Sequence, residues 1–452
     1  MKRSLALATL ALACAGAPPP AEPTPPLPPP PAPAPSASAA PAPNPTAPAE
    51  PPAPAAKKPT GPFNVVLLLV DGLRADMPWA GYPRDIAPNL AALEKTCTSY
   101  TRGYSTSSYT AKSVAAALSG KYPSMLKRSG YFFTKYPESN LFFPELLAKA
   151  GVHTMATHGH MYMKKGHNGM DQGFADWRIV DGLSFDAQTD NHVTSDKMTP
   201  LAIEQLEAVP SGKPFFMYLH YMDPHDVYHQ HKATPVFGKK VRDKYDSEVF
   251  YTDLWIGKLL DHMKKQPWWD KTVVIVSADH GEAFGEHKMY RHAFELWEML
   301  VHVPLMFCGP GITARRVDTP RSSIDFAPTV LELMGVKAEH DFVGESLVAE
   351  LQGGAAKERP VLLDLPADSN NPERRALISG NHKLLVFGND WRFDLYDLKN
   401  DPGETKDLAK SEPEKLAEMK SLYQKVWTPL QKVKPFGGNK LEGGGVASGP
   451  AN

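Results

Sequence analysis

The sequence predicts an α/β domain built on a largely parallel sheet with helices on both faces, followed by a small antiparallel subdomain. Three observations predict it. Apolar runs of strand length alternate with helical patterns from Val65 onward. Two of those runs lead into acidic residues, Val65–Val70 into Asp71 and Val273–Ser277 into Ala278-Asp279-His280. After about Leu351 the texture changes to short apolar runs separated by turn residues.

The chain opens on a targeting segment, residues 1–16. Lys2-Arg3 supplies charge, Leu5–Ala13 is a short apolar stretch, and Cys14 follows small residues. The stretch is too short to span a bilayer. Ala11-Leu12-Ala13-Cys14 resembles a bacterial lipoprotein box, although its leucine sits at −2 rather than −3. The expectation is a lipid anchor on Cys14 that holds the protein to a membrane of the cell envelope, outside the cytoplasm. An ordinary cleaved signal is the alternative. Residues 17–60 are mostly Pro and Ala, with about twenty prolines. Such a segment cannot bury a core and favours polyproline II. At about 3.1 Å per residue it reaches on the order of 100 Å, the length of a stalk.

Residues 61–350 carry the main α/β pattern. Strand runs fall at Val65–Val70, Val152–Thr157, Phe215–His220, Val273–Ser277 and Val303–Phe307. Pro88–Leu93 opens one helix, and Leu141–Ala150 forms another that Gly151 ends. Tyr245, Val249, Ile256, Leu259 and Leu260 mark a longer helix by their spacing. Residues 351–432 read as a subdomain of short strands, Pro360–Asp364, Ala376–Ile378, Lys383–Val386 and Phe393–Tyr396, closed by a helix from Glu412 to Trp427. Residues 433–452 read as a Gly-rich, unordered tail. Cys97 and Cys308 have the potential for one disulfide, but Cys308 ends an apolar run and reads as a buried core thiol. The net charge of −1, with scattered Lys and Arg and no basic block, gives no sign of a nucleic-acid partner, and none is expected.

In open α/β sheets, sites form beyond the carboxyl ends of strands. Two adjacent strands ending in Asp71 and Asp279-His280 would converge two carboxylates and an imidazole, a mixed donor set for a divalent cation. Ser105–Ser113 is a polar stretch leading into Val114–Leu118 and closed by Ser119-Gly120. That pattern places Thr110 at a helix start, where amide donors and the helix dipole favour an anion. Thr110 is therefore a candidate nucleophile; its bland role is a helix cap.

Further motifs accumulate in order: Asn64–Asp76, Ala87–Leu90, Ala117–Pro123, His220–His225, Ser277–His287, Val303–Leu305, Gly309–Gly311, Asp325–Thr329, Leu395–Leu398 and Asp401–Glu404. With these the chain resembles the sulfatase family of the alkaline phosphatase superfamily from about Pro62 to Trp427. The resemblance implies an alkaline-phosphatase-like three-layer αβα sandwich. It implies one divalent metal ion (Ca, Mn or Mg, with Zn possible) on Asp71, Thr110, Asp279 and His280. His225 matches the family's active-site histidine, and His292 falls near a second anion-contacting position. Lys112, His158 and His160 are candidates for lining the anion pocket, and His287 for a supporting role.

Two departures matter. Sulfatases carry a Cys or Ser that becomes formylglycine, followed by Pro and Arg; here Thr110, Lys112 and Val114 stand at those positions. Gly72 stands where many members have another metal-binding Asp. Threonine cannot become formylglycine, and this pattern is similar to the threonine branch of phosphoglycerol transferases and phosphodiesterases. A sulfated formylglycine hydrate can expel sulfate by collapsing to the aldehyde, whereas a sulfated threonine has no such exit. The expected activity is metal-dependent hydrolysis or transfer of a phosphate or sulfate ester in a glycan, lipid headgroup or small molecule. The alternatives are a formylglycine-independent sulfuric ester hydrolase and a non-catalytic anion- or glycan-binding member.

Overall fold

The computed structural model describes residues 62–184, 193–337 and 340–438. The targeting segment with Cys14, the stalk and residues 439–452 lie outside the described residues. Eight strands form the central sheet, in the order Arg315–Val317, Cys97–Tyr100, Leu305–Cys308, Thr272–Ser277, Asn64–Val70, Phe215–Tyr221, His153–His158 and Asp176–Ile179. Within this sheet Leu305–Cys308 runs against its neighbours and the other pairs are parallel. The strand expected at Val303–Phe307 therefore exists, but it makes the sheet mixed.

The central strand Asn64–Val70 is buried throughout because helices cover both faces. Its alternate residues sort cleanly. Val65, Leu67 and Leu69 pack with Val114, Leu118, Phe143, Phe326 and Val330 on one side. Val66, Leu68 and Val70 pack with Leu90, Met198, Tyr245, Val249 and Ile256 on the other. The helices bearing these residues are Thr110–Ser119, Phe143–Lys149 and Phe326–Leu333 on the first face, and Pro88–Glu94, Ser195–Glu207 and Val241–Met263 on the second.

Cys97 and Cys308 form a disulfide, which corrects the expected core thiol. The two strands pair antiparallel with Cys308 opposite Cys97, and their Cα atoms lie 4.3 Å apart. That register, set by residues 211 apart in sequence, is what a reading of Cys308 in its own run misses.

The C-terminal subdomain is a meander of Val361–Leu365, Arg374–Ser379, His382–Phe387 and Arg392–Asp397. Helix Pro413–Trp427 covers it, with Met419, Tyr423 and Trp427 packed on Leu377, Leu384 and Leu395. Residues 433–438, expected to begin the tail, are instead tied down. The Val433 and Phe436 amides donate to the Ser124 and Arg128 carbonyls at 2.8 and 2.9 Å. Among the described residues no helix is long and apolar enough to cross a bilayer.

Candidate active site

Three adjacent parallel strands deliver the centre of the site. In the register, Leu69 lies opposite both His220 and Ser277. Beyond Val70 the chain turns at Gly72, whose φ of +67° favours glycine. Asp71 sits in that turn, its amide donating to the Tyr221 carbonyl at 2.8 Å. Asp279 and His280 follow Ala278, and the Ser105 hydroxyl fixes the Asp279 carbonyl.

The side chains meet as the strand ends dictate. His280 Nε2 is 3.2 Å from Asp71 Oδ1 and 3.4 Å from Asp279 Oδ2. His220, which the sequence marks only as the end of a strand run and the start of a motif, reaches Asp71 Oδ2 at 3.0 Å and Asp279 Oδ2 at 3.9 Å. Its other nitrogen is 2.6 Å from the Tyr218 hydroxyl, which fixes the ring. Asp71, His220 and Asp279 each offer a ligand atom within 4.8 Å of the others. His220 therefore joins Asp71 and Asp279 in a group that could hold a metal ion. The signal for it was present: Phe215–His220 is a third strand-length run that ends on a metal-ligating residue type.

The geometry suits a cation. Asp71 Oδ1 and Asp279 Oδ2 are buried and accept no hydrogen bond, and imidazole nitrogens face both. Two buried carboxylates so close together need a positive charge between them. Burial by itself would raise the Asp71 carboxyl, but His225, His280 and His220 hold it well below the usual range. Burial would lower His280, yet Asp279 and Asp71 push it up to about 10.

Thr110 is the first residue of helix Thr110–Ser119, and Tyr109 occupies the cap position with no side-chain capping bond. The Thr110 hydroxyl turns to the centre: Oγ1 lies 3.3 Å from Asp71 Oδ2 and 3.3 Å from His280 Nε2. The helix ends as expected at Gly120, in the left-handed region at φ +63°.

His225 and His292 complete the cluster. The His292 ring stacks on His280 at 4.0 Å between centroids and meets His225 at 4.8 Å. His292 Nδ1 lies 3.3 Å from the buried Glu282 carboxylate, which leaves Nε2 for other contacts. Burial and the neighbouring His280 push His292 below its ordinary range, against the pull of Glu282. His160 borders the group, 6.3 Å from both His220 and His225.

Two candidates for the anion pocket are used elsewhere. Lys112 is two residues past Thr110, roughly 200° around the helix. Its Nζ donates to Thr134 Oγ1 at 2.6 Å and pairs with Asp368 at 3.5 Å. Burial pulls this lysine down to about 8, although Asp368 opposes the shift. His158 packs on Trp177 at 4.9 Å and accepts the His160 amide at 3.3 Å. His287 stacks on Trp297 at 3.9 Å and contacts the Gly403 carbonyl at 2.9 Å, which fits a supporting role.

Comparison with known proteins agrees with this architecture. The C-terminal region of N-sulphoglucosamine sulphohydrolase matches residues 285–434. Choline-sulfatase of Rhizobium meliloti is 24% identical over 433 residues, covering 78% of this chain and 83% of that protein. Arylsulfatase K of Mus musculus is 30% identical over 218 residues, which span 44% of this chain and 39% of that enzyme. Among solved structures, phosphonate monoester hydrolase of Agrobacterium radiobacter superposes with a TM-score of 0.65 at 17% identity, covering 80% of this chain and 96% of that one. Ps i-CgsB, solved with k-i-k-neocarrahexaose, gives 0.68 at 22% identity, covering 84% and 95%. These structures establish an alkaline-phosphatase-like fold. The Sulfatase family pattern itself matches residues 63–336, more than half of the chain, and the chain belongs to the sulfatase family.

Proposed function

We propose that this chain is a metal-dependent hydrolase of phosphoric mono- or diesters that uses Thr110 as its nucleophile. Transfer to an acceptor alcohol is the same chemistry with a different second nucleophile. The observation that carries the reading is the placement of Thr110 Oγ1 at 3.3 Å from both Asp71 and His280, at the start of a buried helix. Asp71, His220, Asp279, His280 and Thr110 would hold one divalent cation. Ca, Mn and Mg suit the oxygens, and the imidazoles favour Mn or Zn. When bound, the ion lowers the hydroxyl pKa and stabilises charge on the ester oxygens.

The side chains supply the remaining chemistry. Thr110 Oγ1 gives up its proton to solvent and attacks phosphorus. The bond to the leaving oxygen breaks, and that oxygen takes a proton from His225. Water then attacks the phosphothreonine, giving its proton to His225. The Thr110 oxygen leaves and takes a proton back from solvent. His292, its Nδ1–H held by Glu282, turns Nε2 toward the ester, and an anion bound there would favour the imidazolium, whose Nε2–H then donates to a non-bridging oxygen.

A second reading is hydrolysis of a sulfate ester without formylglycine. The 83% coverage of a choline-sulfatase favours it; the lack of an exit for a sulfated threonine opposes it. Turnover of matched aryl phosphate monoester, phosphodiester, phosphonate and sulfate substrates under a metal series separates the two. The proposal expects phosphoester turnover and a phosphate adduct on Thr110 in quenched enzyme. Efficient sulfate turnover with no phosphoester activity would overturn it.

Membrane tethering through Cys14, outside the cytoplasm, is proposed alongside. The Cys97–Cys308 disulfide supports an oxidising compartment. Fractionation of Cys14→Ala against wild type is the test, and equal solubility of the two sinks the anchor.

A further inference from the structure

The segment between strands Val361–Leu365 and Arg374–Ser379 reaches from the C-terminal subdomain to the edge of the site, and no sequence motif marks it. Its Asp368 and Asn371 are buried. Asp368 Oδ2 accepts the Tyr109 hydroxyl and lies 3.5 Å from Lys112 Nζ. Asp368 Oδ1 accepts the Asn370 and Asn371 amides at 2.9 and 2.8 Å, and Asn371 Nδ2 donates to Asp368 Oδ2 at 3.0 Å. The remaining Asn371 atom, Oδ1, accepts the Phe294 amide at 2.9 Å.

The residues tied together are those flanking the two halves of the chemistry. Tyr109 and Lys112 bracket Thr110, and Phe294 lies two residues past His292. The His292 loop cannot hold its shape on propensity alone. Arg291, Ala293 and Phe294 have φ of +68°, +71° and +61°, which side-chain-bearing residues rarely adopt. Such conformations persist where surrounding bonds impose them. Here these are Asn371 on Phe294, the Ser108 carbonyl on the Ala293 amide at 2.9 Å, and the Arg374–Glu295 pair at 2.8 Å.

We propose that Asp368 and Asn371 are positioning residues that fix the His292 loop against the start of the Thr110 helix. The proposal rests on the roles of Thr110 and His292 given above. It assigns Lys112 to the base of this tether, as the buried cation opposite Asp368, rather than to the anion pocket.

The test is Asn371→Ala in the full chain, with two readouts. Amide hydrogen exchange is expected to rise across residues 291–295 and to stay unchanged across 112–119. On the best ester, kcat is expected to fall about 10- to 100-fold, the scale of misplacing a catalytic group by about 1 Å. The metal concentration for half-maximal activity stays put, because Asn371 touches none of the metal-binding residues. Ser369→Ala is the control. It removes a bond from the same segment to the Phe132 amide, 2.9 Å long, and should leave kcat within about twofold. Should Asn371→Ala not fold, Asn371→Ser, too short to accept from Phe294 and adding no charge beside Asp368, is read in the same way, with the same rise in loop exchange expected. Unchanged exchange in Asn371→Ala overturns the proposal, and so does a loosened loop with unchanged kcat. If wild type turns over none of the esters, the functional reading fails, while exchange alone still decides whether Asn371 sets the loop.

Discussion

The candidate metal-binding half of the site and the proposed anion-binding half are built differently. Asp71, His220, Asp279 and His280 stand at or just beyond the ends of three hydrogen-bonded parallel strands, so the central sheet fixes their spacing. His225 and His292 stand on loops. Left-handed backbone recurs at His287, Lys288, Arg291, Ala293 and Phe294, and tethers from the C-terminal subdomain and helix Val241–Met263 hold the surroundings. The difference teaches that one half is as rigid as the core beneath it, whereas the other depends on a few distant hydrogen bonds. Mutations should therefore act on metal affinity in the first half and on turnover in the second.

Thr110 belongs to both halves, and its loss has the largest expected effect. Thr110→Ala should cut kcat by about 10³-fold or more while leaving the melting temperature nearly unchanged, since no capping bond is lost. Near-normal turnover by this variant would move the nucleophile to another group.

Next is the disulfide, which braces the sheet away from the loops. Replacing both Cys97 and Cys308 by alanine should cost about 2–4 kcal/mol in denaturant unfolding. At a temperature where the variant stays folded, kcat should be unchanged. A drop in kcat there would show that sheet and site are less separable than the comparison says.

Tyr218→Phe sharpens the metal half. It removes the hydroxyl that orients His220, so metal affinity should fall about 10- to 100-fold, with kcat recovered at saturating metal. A metal titration that matches wild type would remove His220 from the donor set.

The smallest effect concerns the loop Val227–Lys240, which Glu248 anchors through the His229 amide at 2.5 Å and His231 Nε2 at 2.5 Å. Burial pushes Glu248 up to about 7, against its bonds from His231. A carboxyl raised in the fold contributes stability below its ordinary value near 4.5, lost as pH rises through 7. Glu248→Gln should therefore gain relative to wild type between pH 4.5 and 7 and level off above, by about 1–3 kcal/mol. A stability difference that ignores pH would mean that the carboxyl is solvated.

How much was legible follows from the kind of signal each residue carries. Asp71, Asp279 and His280 could be read because an apolar run announces its own end and a short motif follows it. Thr110 could be read from a polar stretch, a helix and a closing glycine. Lys112 shows where local reading went astray: its position in the motif suggested the pocket, but two residues along a helix point to the opposite side. The largely parallel sheet is as expected, but the reversed direction of Leu305–Cys308 was not legible, because strand direction leaves no trace in an apolar run such as Val303–Phe307.

The sequence by itself determined which elements form, which of their ends carry the candidate metal-binding and nucleophilic groups, and the family to which they belong. Those properties depend on periodicity and on neighbours a few residues away. The tertiary structure alone decided that His220 joins Asp71, that Cys97 faces Cys308, and that Asp368 and Asn371 reach the nucleophile helix and the His292 loop. Each of these is a contact across 77 to 259 residues. Strand order and register create such contacts, and these are settled by burying both faces of the sheet at once rather than by any local stretch of chain.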